Sequence, residues 1–244
     1  EHYKNQEGTI VGWGPTVNEI NHLLEVFDEI IHVAMLHEGQ APKSALPYNS
    51  DKIRFVPIQP AGGKQFINKL NILWHAPKTI GTVFKVLKEV DYFQLRVPTG
   101  IGVYLIPCLI FFTNKKGWFK YAGNWNQKQP PLGYRIQRFM LKHQSRKVTI
   151  NGRWNNQPKH CLTFENPCLT NDDLQLGRKI AKSKVFNNVI SFCFVGRLEK
   201  EKGVERIIKA FDALTKEEKE KVGNVYFVGD GNDINYFKKL ARDV

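Results

Sequence analysis

Short apolar runs alternate with longer segments of helical periodicity along the first part of the chain. The apolar runs are predicted to be buried strands, and they cover residues 30–36, 53–58, 92–97, 118–122 and 148–150. Helical periodicity covers residues 17–27, 78–90 and 133–143. In the second of these segments apolar residues recur at three- and four-residue steps, as in a helix with one buried face. Such alternation is typical of α/β proteins built on parallel sheets.

The pattern changes near Asn166-Pro167, where a loop leads into a second α/β block. There, the apolar strand 191–195 ends at Gly196, and the strand 225–228 ends at Gly229. Two domains are therefore predicted, 1–167 and 168–244. Two strands do not make a stable sheet on their own, so the second domain is expected to be incomplete.

Helices are predicted to follow both strands of the second block. One opens at Gly203 and carries an apolar stripe, and another begins near Ile234. Between them, Thr215 and Glu218 have the spacing of a capping box, which predicts a short helix closed near Gly223.

Charge is the second informative feature of the chain, which has a formal net charge of +13. Residues 92–164 contain no carboxylate. The basic residues of this stretch are Arg96, Lys115, Lys116, Lys120, Lys128, Arg135, Arg138, Lys142, Arg146, Lys147, Arg153 and Lys159. A one-signed stretch suits anionic partners, either lipid head groups or nucleic acid, and it is also compatible with a solvated basic surface.

Several classes of site and protein are disfavoured. The four cysteines lack CxxC spacing, so a zinc ribbon or redox pair is not expected. No RNA-binding aromatic motif, zinc finger or helix-turn-helix pattern supports nucleic-acid binding. The apolar run 101–112 is about half a membrane span and contains Pro107. A cytoplasmic protein is expected, without a metal or other cofactor.

The strongest candidate for chemistry is the segment from Phe194 to Gly203. A buried strand would deliver Gly196, Arg197 and Lys202 to the edge of the sheet where open α/β folds bind ligands. Two cations next to a helix N-terminus can neutralise a diphosphate. Glu199 and Glu201 stand between the cations, so a solvated mixed-charge loop is an equal alternative.

A second loop, Gly229-Asp230-Gly231-Asn232, follows the next strand and precedes a helix. Its glycines allow a ligand to lie against the main chain, although such turns also use Gly and Asp for structural reasons. Since it comes one strand–helix unit after the first loop, both loops are expected at one sheet edge.

The runs VGRLEKEKGVERIIKAFDAL and VYFVGDGN resemble the nucleotide-sugar-dependent glycosyltransferases of family 4. This resemblance implies a GT-B-like fold of two Rossmann-like domains. It also implies that Arg197 and Lys202 are catalytic, because with Gly196 they would hold the donor diphosphate and stabilise it as a leaving group without a metal. Gly229, Asp230 and Gly231 would form the loop on the nucleotide side of the donor.

In the first domain, YFQLRVPTGIG and WFKYAGNW resemble the segment that faces the acceptor. Arg96 stands near the place where many relatives carry a histidine, and Asn124 and Trp125 would lie on the acceptor side. A tryptophan is more often a buried anchor than a sugar contact, and both roles remain alternatives for Trp125.

Two departures from the family pattern concern the ends of the chain. The chain opens at Glu1-His2-Tyr3-Lys4 without the family's first strand and glycine-rich loop, and no two Glu residues are eight positions apart. The sequence is therefore expected to be truncated at both ends, with the first strand of the first domain missing.

The resemblance implies retaining, metal-independent transfer of a sugar from a nucleotide-diphosphate sugar to a glycan or lipid-linked acceptor. The hexosyltransferase type is expected, in polysaccharide or glycolipid biosynthesis, with peripheral contact at an anionic membrane. The alternatives are a basic nucleic-acid-binding module and a catalytically inactive glycosyltransferase fragment.

Overall fold

The computed structural model describes residues 1–61, 71–165, 169–185 and 188–242. The chain forms two compact units, Glu1–Thr170 and Asn171–Val244. The predicted domain boundary at 167/168 lies outside the described residues.

Parallel strands dominate the first unit, as predicted. Its strands are β1 (His2–Lys4), β2 (Ile10–Trp13), β3 (Ile30–Met35), β4 (Ala45–Pro47), β5 (Ile53–Ile58), β6 (Tyr92–Val97), β7 (Lys116–Tyr121), β8 (Val148–Asn151) and β9 (Cys161–Phe164). Strands β6-β7-β8-β9 form a parallel sheet in that order, and β3 pairs with β5 in parallel. This confirms the mixed α/β class.

The start of the chain differs from expectation. β1 is a strand where the sequence predicted none, and it joins β2 and β4 in a small antiparallel sheet. Its His2 side chain is buried at 3% exposure. The short strand was missed because its anchoring residue is an imidazole and not an aliphatic side chain.

The first unit contains the helices α1 (Gly14–Leu23), α2 (Ala76–Leu87), α3 (Gly102–Phe111) and α4 (Leu132–Lys142). The three predicted helices are present, but α1 and α2 begin two to three residues early because Pro15 and Pro77 occupy their first turns. The apolar run containing Pro107 forms the further helix α3.

The main core lies between the β6–β9 sheet and the helices α2, α3 and α4. It contains Leu87, Phe93, Val97, Ile106, Leu109, Phe119, Tyr121, Trp125, Leu141, Val148, Ile150 and Cys161. Phe93 and Val97 of β6 and Phe119 and Tyr121 of β7 enter this core, whereas polar residues interrupt both strands.

The second unit is small. It contains α5 (Asn171–Ser183), β10 (Ile190–Val195), a 3₁₀ turn (Lys200–Lys202), α6 (Val204–Asp212), α7 (Lys216–Glu220), β11 (Val222–Val228) and α8 (Ile234–Leu240). β10 and β11 pair in parallel, and a core of Leu198, Val204, Ile208 and Phe237 lies beside them.

Two expectations about this unit were wrong. β10 was predicted to be buried, yet Phe192 and Val195 are 43% and 75% exposed, because the small core covers only part of a two-stranded sheet. The helix begun by Thr215 ends at Glu220 and not at Gly223, which lies inside β11. The capping box determines where a helix starts but not where it stops.

Candidate functional site

The two glycine loops of the second unit lie side by side. β10 and β11 end in register, with Val195 opposite Val228, so both following loops leave the same sheet edge. The amide N of Gly196 donates to the carbonyl of Val228 at 3.0 Å, and the amide N of Leu198 donates to the carbonyl of Asp230 at 2.9 Å. The predicted adjacency of the loops is therefore present.

Close backbone contact explains why glycine stands at two of these positions. A Cβ on Gly229 would lie 1.9 Å from the carbonyl oxygen of Gly196, and a Cβ on Gly231 would lie 2.3 Å from that of Leu198. Gly229 also has φ +149°, a conformation that side chains disfavour. These glycines let the two loops touch through their main chains.

Asp230 and Asp233 hold the second loop in place. The Asp230 carboxylate accepts the amide N–H of Gly231 at 2.8 Å, and the Asp233 carboxylate accepts that of Lys200 at 3.0 Å. Asp233 was missed from the sequence, although it ties the second loop to the 3₁₀ turn of the first. Its position just before a helix was the available signal.

The two predicted cations lie on the first loop. Arg197 lies two residues after the end of β10, its side chain is 64% exposed, and its Nη1 lies 3.1 Å from Oε1 of Glu199. Lys202 is the exposed last residue of the 3₁₀ turn, and its ammonium has no ion-pair partner among the described residues. Gly203 follows at φ +79° and leads into α6. The loop thus presents two cations before a helix N-terminus.

Arg96 belongs to a buried ionic cluster in the first unit. Its Nη1 lies 2.5 Å from Oε2 of Glu19, whose Oε1 lies 2.6 Å from Nζ of Lys120. Lys120 is 1% exposed, and burial lowers the pKa of its ammonium while Glu19 opposes that shift. Glu19 and Lys120 were missed. The available signal was a carboxylate between Val17 and Ile20, on the buried side of α1.

The structure corrects one acceptor-side expectation. Trp125 is 2% exposed and packs edge-on against Tyr121 with 5.0 Å between ring centroids, so its ring is a core anchor and is not available to stack on a sugar. Asn124 is exposed, and its Oδ1 accepts the amide N–H of Asn126 at 3.0 Å. Asn124 and the one-third-exposed Arg96 remain the accessible members of that predicted group.

A second polar cluster, which the sequence did not indicate, lies beside β1. The Tyr48 hydroxyl is 3.1 Å from Nε2 of His2 and 2.5 Å from Nδ1 of His32. Burial lowers the pKa of His2 to about 4 and that of His32 to about 3, so both imidazoles are neutral at pH 7. Within the described ranges, no group of three or more His, Cys, Asp or Glu side chains is arranged to hold a metal ion.

None of the helices in the described part of the chain is both long and apolar enough to cross a membrane.

The part of the chain that contains the two glycine loops is similar to known proteins. The family described as Glycosyl transferases group 1 matches residues 177–244, which include both glycine loops. A segment of 56 residues is 55% identical to an uncharacterized glycosyltransferase of Methanocaldococcus jannaschii, and it covers 23% of this chain and 14% of that protein. Over residues 177–244, the chain is therefore similar to the glycosyl transferases group 1 family.

Proposed function

We propose that this chain is part of a cytoplasmic, retaining glycosyltransferase of the hexosyltransferase type. It transfers a sugar from a nucleotide-diphosphate donor to a glycan or lipid-linked acceptor, in contact with an anionic membrane. The observation that carries the proposal is the pair of interlocked loops at the ends of β10 and β11, with the exposed cations Arg197 and Lys202 on one of them. The group 1 family match over the same loops supports it.

Arg197 and Lys202 bind the diphosphate in this proposal. A guanidinium forms paired hydrogen bonds to phosphate oxygens, and an ammonium adds a compact charge. The N-terminus of α6 contributes further N–H groups directed at an anion. Gly196, with no side chain, lets the donor approach the main chain, and the loop Gly229-Asp230-Gly231 lies on the nucleotide side.

Transfer then takes place at the anomeric carbon. The acceptor hydroxyl oxygen forms a bond to this carbon while the bond to the β-phosphate oxygen breaks, and the electron pair of that bond stays with the diphosphate. The hydroxyl proton passes to the departing phosphate oxygen on the same face, which retains the configuration. Because Arg197 and Lys202 stabilise the developing negative charge, neither a metal nor a carboxylate base is required.

Arg96 and Asn124 are proposed to lie on the acceptor side. Arg96 is the partly exposed cation of the cluster that it forms with Glu19. A guanidinium suits an acceptor that carries phosphate or carboxylate groups.

Isothermal titration calorimetry of the full chain with UDP, GDP, ADP and dTDP tests the donor site. We expect one of these to bind, and we expect Arg197→Ala and Lys202→Ala each to weaken binding at least tenfold, as for loss of a charge-assisted contact of about 1.4 kcal/mol or more. Lys219→Ala removes an exposed cation of α7 and is the matched control.

Two results would contradict the donor site. One is the absence of binding by all four nucleotides. The other is an equal loss of affinity in Lys219→Ala and Lys202→Ala. Lys202 would then act only through the net charge of the protein and not through a contact with the diphosphate.

A further inference from the structure

Four large apolar side chains of the first unit are more than 60% exposed and lie on or next to α3 and α4. The exposed fractions are 75% for Phe111, 73% for Phe112, 63% for Phe139 and 62% for Leu132. Exposed apolar residues are common singly, but a contiguous aromatic group marks an interaction surface.

The helix geometry brings these residues to one surface. α3 packs against α4, and Phe111 lines the same groove, of about 740 Å³, as Phe139 and Met140. Along α4, Leu132, Ile136 and Phe139 follow one another at steps of four and three residues, on the side away from the buried Gln137 and Leu141. We call the surface formed by Phe111, Phe112, Leu132, Ile136 and Phe139 the aromatic face.

Basic side chains lie beside the aromatic face, and Asp91 shares a surface pocket with one of them, Lys116. Arg135 and Lys142 are exposed on α4, each three residues after a member of the face. Lys116 follows Phe112 closely and is also exposed. Both helices lie within residues 92–164, which contain no carboxylate.

We propose that the aromatic face docks on an anionic phospholipid surface, with the phenylalanines inserted at the headgroup boundary and Arg135 and Lys142 on the lipid phosphates. An apolar stripe flanked by cations is the pattern of an interfacial amphipathic helix.

The proposed function includes contact with an anionic membrane, and the aromatic face is the surface that makes this contact. The inference therefore rests on the proposed function. It depends only on residues of the first unit. Nucleotide calorimetry tests the donor site and vesicle binding tests the aromatic face, so either experiment can fail while the other succeeds.

Co-sedimentation of the full chain with vesicles tests the docking. We expect binding to phosphatidylcholine vesicles that contain phosphatidylglycerol, weaker binding to phosphatidylcholine alone, and a decrease as salt rises. The double variant Phe111→Ser/Phe139→Ser should lower binding at least tenfold, and Arg135→Gln about fivefold, since each cation near an anionic surface contributes about 1 kcal/mol. Because these side chains are exposed, circular dichroism should show each variant folded.

Val26→Ser and Lys52→Gln provide the matched controls, since Val26 is 77% exposed and Lys52 is exposed elsewhere on the unit. The controls should bind vesicles like the parent chain. The proposal is overturned if anionic vesicles do not bind at low salt, or if the controls lose as much binding as the double variant. It is also overturned if sedimentation shows a dimer that the double variant abolishes, since a second copy would then cover the face.

Discussion

Gly229 and Gly231 sit where any side chain would strike the neighbouring loop. The contact is between backbones, which cannot swing aside as the end of a side chain can. Their identity is therefore dictated by packing as well as by any ligand. Gly177, in the middle of α5, is the opposite case, because a Cβ there would meet nothing within 4 Å.

Gly229→Ala and Gly177→Ala should change stability in opposite directions. We expect Gly229→Ala to lower the free energy of unfolding by more than about 2 kcal/mol, since it adds a backbone clash to a disfavoured φ. We expect Gly177→Ala to raise it by roughly 0.5–1 kcal/mol through helix propensity. Urea denaturation followed by far-UV circular dichroism measures both, and a Gly229→Ala chain as stable as its parent would show that the loops are not in contact.

Single residues divide into those that sequence can place and those that it cannot. The loop positions of Arg197 and Lys202 were predictable, because a strand, a glycine and a helix start determine where they fall. The partners of Arg96 were not predictable, since Glu19 is 77 residues away and reaches it only through the fold. Trp125 was ambiguous for the same reason, because burial is a property of the folded core.

Elements were predicted best where apolar runs end abruptly. β5 and β6 have the predicted bounds, since charged or turn-forming residues flank each run. The helix starts at Gly14 and Ala76 were missed, although Pro15 and Pro77 fit the first turn of a helix well. The antiparallel sheet of β1, β2 and β4 was missed because strands of three or four residues have almost no periodicity.

The capping box of α7 gives a test at the scale of one element. Thr215 Oγ1 accepts the amide N–H of Glu218 at 3.3 Å, and the Glu218 carboxylate accepts that of Thr215 at 2.8 Å. Thr215→Ala removes one of these bonds and should cost about 1 kcal/mol locally. Amide hydrogen exchange at Glu218 should become faster, whereas Lys216→Ala, which leaves the cap intact, should not change it. Unchanged exchange in Thr215→Ala would contradict the cap.

At the scale of the whole molecule, the alternation of apolar runs and helical segments predicted a mixed α/β chain, and the parallel strands confirm this. The sequence could not indicate which helices expose their apolar residues. That depends on how α3 and α4 pack together, which leaves Phe111 and Phe139 outside while Leu109 and Leu141 enter the core.

The buried imidazoles of His2 and His32 should make stability depend on pH. Their folded pKa values, about 4 and about 3, lie below the ordinary 6.5, so protonation favours the unfolded chain. Stability is complete above pH 6.5 and should fall as the pH decreases toward these values, by up to about 1.4 kcal/mol per pH unit for each histidine.

His32→Phe should reduce this slope in urea denaturations between pH 6.5 and pH 4.5. Phe55→Leu loosens the same aromatic packing without removing a titratable group, so it should lower stability equally at each pH and keep the slope. An identical slope in His32→Phe and the parent chain would contradict the role of His32.

The hydrogen bonds and backbone contacts between residues 196–198 and 229–233 couple two loops that are about 30 residues apart in sequence. Neither loop can be displaced alone, because opening one breaks the bonds that hold the other. We therefore expect the two loops to move as one unit, with a spacing that is set before a ligand binds. A ligand that contacts both loops would have to match that spacing.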